Sequence, residues 1–283
     1  MNLIEIPEVK YRKEIPSAFD EMSGKDFIFF SELFLKVQAG LLSPQELREH
    51  MLLRFMDVDV NRYIYRRLKV EEKAYICSNV AELADQLINF LIEEEETKDG
   101  KTLVRFMHGF VCNPLPKLHG LNGPADALQD ISFQQYKDAY VAFREFNLSH
   151  SPDCLNELIA ALYYRGKKWD KTKALLQLPR IAKWPEAERY AVYLFFWSCL
   201  EFLQSAKIEV EGNTIDLSIL YKSFPGDEPI DTGTGISGLL FKIAEAGIWG
   251  DIEKASNQGL YDILVYLYHQ RKIQLETYKR QKR

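Results

Sequence analysis

Among the 283 residues of this chain, His108, Cys112 and His119 are the side chains whose types and spacing come nearest to metal chemistry. Imidazole nitrogen and thiolate sulfur are donors that zinc prefers, and the three lie close together in sequence. Their spacing matches no closed finger pattern, however, and no fourth ligand is near, so they read as loop and core residues with no metal expected. A second pattern is the GxGxxG of Gly233, Gly235 and Gly238 ahead of the apolar run LLFKIAEAG. Such glycines let a backbone approach a pyrophosphate at a helix N-terminus. The fingerprint must follow directly on a strand, whereas here Pro225, Gly226, Asp227, Glu228 and Pro229 precede it, which makes it a loop leading into a helix. A third is the DxDxN of Asp57, Asp59 and Asn61. A calcium loop counted from Asp57 needs glycine at its sixth position and glutamate at its twelfth, and Arg62 and Leu68 stand there instead. P-loop, GxSxG and HExxH signatures are absent. No catalytic residue, metal ligand or cofactor site is therefore assigned, and the chain is not expected to be an enzyme.

The elements that would carry these residues are mostly helical. The spacing of Phe133, Tyr136, Tyr140 and Phe143 puts aromatics on one helix face, with Ser132 as N-cap and Gln135 completing a capping box. A break at 147–152 leads to a second helix from Asp153, with Leu155, Leu158, Ile159, Leu162 and Tyr163 as its stripe. Two helices joined so closely pack antiparallel. Nearer the start, a proline-marked extended arm between Pro7 and Pro16 precedes a helix over 27–40 ending at Gly40. A further helix follows, capped by Ser43 with Pro44 at its first position and Leu47, Met51 and Phe55 on one face.

Residues 57–78 read as a third helix ending near Glu72, and Asn79 as the cap of another, with Val80, Leu83, Leu87, Ile88 and Leu91 on its face. The block Glu93–Glu96 is unfavourable at a helix C-terminus, so the chain is expected to leave there into a solvated turn or a strand. Thr102–Phe106 reads as a short strand after the turn 98–101, and 110–112 as a pairing segment. Residues 113–124 form a long ordered loop or a boundary.

One short helix is expected in 167–184, and a nearly all-round apolar core helix from Glu186 to about 205. Residues 211–238 read as a glycine- and proline-rich loop, and a final helix runs from about Ser256 to a basic end. The fold class that follows is mainly α: an irregular helical bundle with a small β element near residues 93–112. The expected division is an N-terminal region, 1–122, and a C-terminal bundle, 123–283, unless the two form one continuous domain.

Composition limits the function classes. A hydrophobic fraction of 47% over 283 residues supports a sizeable core without covalent staples. A net charge of -5 gives no global attraction for nucleic acid. Two local exceptions are the cluster 62–69, in which Tyr63 and Tyr65 interleave with basic residues, and the basic segment 271–283. Cys77, Cys112, Cys154 and Cys199 form no CxxC pair and read as reduced, mostly buried thiols. Residues 1–14 lack the apolar core of a secretory signal, and the run 190–200 is too short to span a membrane. A cytoplasmic location is the resulting expectation.

The stretches IPEVKYRKEIPSAFDEMSGKDFIFFSELFLK, GPADALQDISFQQYKDAYVAF, LNELIAALYYRG and GLYDILVYLYHQRKIQLETYKR occur in that order. In pattern and order the chain resembles proteins encoded in the tail-morphogenesis regions of Bacteroidetes tailed phages and prophages. The resemblance implies a non-enzymatic protein-binding factor in tail assembly: a chaperone, adaptor or minor virion component in the host cytoplasm or the virion. It implies other phage structural or assembly proteins, or a second copy of the chain, as partners, with no membrane, and it carries no catalytic residues. The alternative is a nucleic-acid-associated helical protein using segments 62–69 and 271–283.

Overall fold

The computed structural model describes residues 1–6, 10–58, 69–96, 102–164, 166, 168–222 and 248–281. The glycine motif at 233–238, the turn 98–101, the Asp59 and Asn61 positions and most of the cluster 62–69 lie outside them. The fold is mainly α with short two-stranded sheets. Two compact units form: residues 1–110 with 185–194, and residues 111–184 with 195–283.

The first unit opens with an antiparallel hairpin, β1 (Asn2–Ile6) and β2 (Tyr11–Ile15), where the sequence suggested only an extended arm. Helix α1 (Gly24–Gln38) starts earlier than its apolar pattern. Ser23 caps it by accepting from the Asp26 amide at 3.2 Å, four residues ahead of the first apolar position of the pattern. The helix ends as expected at Gly40, whose φ of 68° lets the Gly40 and Leu41 amides donate back to Val37 and Lys36. Helix α2 (Pro44–Phe55) carries the full expected capping box. The Ser43 hydroxyl accepts from the Glu46 amide at 3.1 Å, and the Ser43 amide donates to the Glu46 carboxylate at 2.8 Å.

Helix α3 (Val70–Leu87) corrects two expectations. It begins about where a helix was expected to end, and Asn79 lies inside it rather than capping a new one. Its start is held instead by the Glu72 carboxylate, which accepts from the Lys69 amide at 2.7 Å. The acidic block then enters β3 (Ile92–Glu96), paired antiparallel with β4 (Thr102–Phe106). This is the expected β element, and it makes the strand alternative the right one of the two. Two of the four glutamates meet basic partners there: Glu94 pairs with Arg48 at 2.7 Å and Glu95 with Arg105 at 2.9 Å. Phe110 is buried, and 110–112 forms no strand. The core is an aromatic cluster in which Phe19 meets Phe27, Phe30, Phe106 and Phe110 at ring separations of 4.9–6.0 Å. Tyr190 joins it through Phe34 and donates to Gln38 at 2.8 Å.

In the second unit, the loop 113–130 is ordered by its own hydrogen bonds and contains a small hairpin, β5 (Lys117–Leu118) and β6 (Leu121–Asn122). Helices α4 (Phe133–Ser149) and α5 (Pro152–Leu162) form the expected antiparallel pair, turned at His150 in the left-handed region. All five residues of the α5 stripe are buried. Two short helices, α6 (Lys171–Leu175) and α7 (Leu178–Ile181), replace the single one expected.

Helix α8 (Glu186–Ser205) has the expected bounds, and its residues 190–196 are all buried; it belongs to the first unit up to Leu194 and to the second beyond it. A hairpin of β7 (Lys207–Val210) and β8 (Asn213–Asp216) follows, so the loop expected over 211–238 begins instead with a turn and a strand, and its part from 223 on lies outside the described residues. The hairpin's two-residue turn, Glu211 and Gly212, has positive φ at both positions, which matches the twist of the strands it joins. The terminal helix starts at Leu260 rather than about Ser256: a short helix, α9 (Ile252–Ser256), ends ahead of a short link, and α10 (Leu260–Gln281) follows. The break occurs because the link pairs with the start of α4, Phe133 donating to Gln258 at 2.8 Å and Leu260 to Ile131 at 3.0 Å. Of the four cysteines only Cys199 is buried, where desolvation raises its thiol pKa; Cys77 and Cys112 are exposed, contrary to expectation.

Candidate functional site

The start of α4 is where local sequence signals and tertiary contacts meet. Ser132 Oγ accepts from the Gln135 amide at 3.2 Å, as the capping pattern requires. The other half of the box does not form. Gln135 Nε2 instead donates to the Ala161 carbonyl at 2.7 Å, one of the orphan carbonyls at the C-terminal end of α5. A residue chosen by sequence as a local cap thus closes the open end of the hairpin.

One turn later, Asp138 gathers three donors. Its carboxylate, with 9% side-chain exposure, accepts from Gln134 at 2.9 Å, from the Trp169 indole at 2.9 Å and from Lys171 at 3.3 Å. A carboxylate this far from water needs such partners. Nothing in the local pattern marked Asp138, because its partners lie more than thirty positions away or on the polar face of its own helix.

Below these residues the loop is packed around Asn113 and Tyr163. Asn113 donates to the Pro124 carbonyl and accepts from the Leu115 amide, while the Tyr163 hydroxyl donates to the Leu115 carbonyl at 2.6 Å. Burial raises the Tyr163 pKa well above the phenol range. Gly123 fits because a Cβ there would meet the Tyr163 ring at 2.8 Å and the Asn113 amide at 2.9 Å.

Together these contacts frame a cleft of about 380 Å³ within the second unit. Asn122, Gln129, Asp130, Tyr164, Trp169 and Asn257 are among its lining residues. Its lining residues fall in three stretches, 122–135, 162–169 and 257–259, and no motif in any of them marks a site. Its groups come from the loop, α4, the end of α5 and the 257–259 link, and only folding brings these together.

The residues singled out for metal chemistry are placed otherwise. His108 packs edge-on against Phe106 at 5.0 Å, Cys112 is exposed, and His119 stacks on Trp184 at 4.6 Å at the tip of the β5–β6 turn. Among the described residues no group of three or more His, Cys, Asp or Glu side chains is arranged to hold a metal ion. Of the basic segment 271–283, residues up to Gln281 belong to α10. There Arg271 donates to the Lys222 carbonyl at 3.1 Å, and Lys272 lies 5.4 Å from the centre of the Tyr268 ring. Among the described residues no helix is long and apolar enough to cross a membrane.

A different kind of surface occurs on α3. From Val70 to Asn79 no side chain is buried; Val70 is 83% and Tyr75 70% exposed. Ala84, further along, is the buried residue of this helix.

No family model matches the chain, and neither a curated protein nor a solved structure matches it.

Proposed function

We propose that the protein is a non-enzymatic protein-binding factor in phage or prophage tail assembly, acting as a chaperone, adaptor or minor virion component. The tail-assembly context is what the order of the sequence stretches implies. The observation that supports a binding role is the N-terminal half of α3. No side chain is buried over nearly three turns of this helix, whereas burial of one face normally supplies most helix stability. Exposed Val70 and Tyr75, flanked by Glu71 and Glu72, offer an apolar and aromatic anchor within an acidic rim.

The test is co-purification of the full chain with the products of its neighbouring genes. The expected outcome is a stable complex with a tail component, lost when Tyr75→Glu and Val70→Glu are introduced together. Both side chains are exposed, so the double variant keeps its fold by circular dichroism. A chain that stays unpartnered among those products, or a complex indifferent to the double substitution, overturns the reading.

A further inference from the structure

We propose that the cleft at the start of α4 is a binding site for a neutral sugar ring. Its volume of about 380 Å³ falls within the range of small-ligand sites. Aromatic and hydrogen-bonding groups converge on it from separate parts of the second unit.

Trp169 provides the aromatic wall. Its indole N–H is fixed by Asp138, a carboxylate itself held by Gln134 and Lys171, so the ring is positioned before any ligand arrives. Tyr164 stands nearly perpendicular to it, with ring centres 5.1 Å apart. The C–H face of a pyranose covers an aromatic ring of this kind, while its hydroxyls need planar groups that accept and donate in pairs.

Those groups are present. Asp130 uses Oδ1 to accept from the Ala125 amide at 2.7 Å, which leaves Oδ2 as an acceptor. Asn257 spends its amide N–H on the Glu253 carbonyl at 2.7 Å and keeps its side-chain oxygen. The Asn122 and Gln129 amides each offer both a donor and an acceptor at the cleft.

Among the described lining residues the charges favour a neutral ligand over a phosphate or carboxylate. Asp130 lies in the lining, and the nearby Lys168 has Glu253 at 3.9 Å. Among the described lining residues an anion would face the Asp130 carboxylate, and none of them is an arginine that could receive it.

This site is separate from the α3 surface, so either reading can fail without the other. The full chain is titrated by calorimetry and tryptophan fluorescence with N-acetylglucosamine, galactose and mannose, with the disaccharides chitobiose and lactose, and with adenosine. At least one sugar is expected to bind with a Kd of about 1 mM or tighter. Trp169→Ala and Asp130→Ala are each expected to weaken it about tenfold or more. Asn122 is exposed, so Asn122→Ala cannot disturb the fold and is expected to weaken binding severalfold. Tighter binding of a disaccharide than of its monosaccharide identifies a glycan chain as the source, and equal binding a free sugar. Absence of any sugar response up to about 50 mM overturns the proposal. So does a response unchanged in Trp169→Ala and Asn122→Ala, or adenosine binding in place of every sugar.

Discussion

Helices α2 and α4 both begin at a serine cap followed three residues later by a side chain able to complete a capping box, yet only α2 completes it. Glu46 turns back to the Ser43 amide, whereas Gln135 reaches across to Ala161 on α5. The hairpin α1–α2 is closed by another device. Arg54, near the end of α2, donates to the Asp26 carboxylate at 2.6 Å and to the Lys25 carbonyl at 3.2 Å, both at the start of α1, and its guanidinium lies 4.5 Å from the centre of the Phe29 ring. One hairpin is thus latched by charge at a part-exposed site and the other by a neutral amide on an orphan carbonyl. The difference is chemical: a carboxylate is best used on local amides near a helix N-terminus, where the dipole favours it, while an uncharged amide can approach a helix C-terminus without repulsion.

The largest effect expected on this comparison comes from removing the core beneath each hairpin. Phe30→Ala in α1 is expected to cost about 3–5 kcal/mol and Leu158→Ala in α5 about 2–5 kcal/mol in urea unfolding, since both side chains are fully buried. If both substitutions cost under about 1 kcal/mol, the core assignments fail.

Next in size is Gln135→Ala. It leaves the buried Ala161 carbonyl without its donor, for a cost of about 1–3 kcal/mol that is insensitive to salt. The counterpart Arg54→Ala is expected to cost about 1 kcal/mol at low salt, and less as salt is added, because the pair is part-exposed and screened. Equal salt dependence in the two variants would remove the distinction between the latches.

Smaller again are the caps, Ser43→Ala and Ser132→Ala, each expected to cost about 1 kcal/mol.

The smallest effect is on pH dependence. Hydrogen bonds from the Ser43 amide and then its hydroxyl hold the Glu46 pKa below its ordinary value in the folded chain. Its contribution is therefore complete above the ordinary glutamate range and is lost as pH falls through the lowered folded value. Unfolding of the native chain and of Glu46→Gln, followed from pH 6 down to about pH 3, should differ most at the upper end and converge at the lower. A constant gap across that range would show that the carboxylate is not what the Ser43 groups select.

Much of the fold was legible in the sequence because it rested on local physics. Ser43, Pro44 and Glu46 mark a helix start by their own hydrogen-bonding and backbone preferences, and Gly40 marks a stop by its access to positive φ. The bounds of α8 follow from an apolar run that needs burial on nearly all sides. Where the reading failed, a local signal had a competing use. Asn79 resembles a cap but lies inside α3, whose start is held by Glu72, and the tract after α8, rich in turn residues, contains a hairpin as well as a turn.

The cleft was not legible at all. Its polar groups are scattered over three sequence segments, and no spacing rule relates Asp138 to Trp169 or Asp130 to Asn257. Sequence by itself determined the caps at Ser43 and Ser132 and the apolar stripes of α5 and α8, since each depends on neighbours within a turn or two. Tertiary structure decided which partner Gln135 takes, where Trp169 is held and which groups share the cleft. These depend on contacts whose sequence separation carries no periodic signal, and they form only when the helices pack.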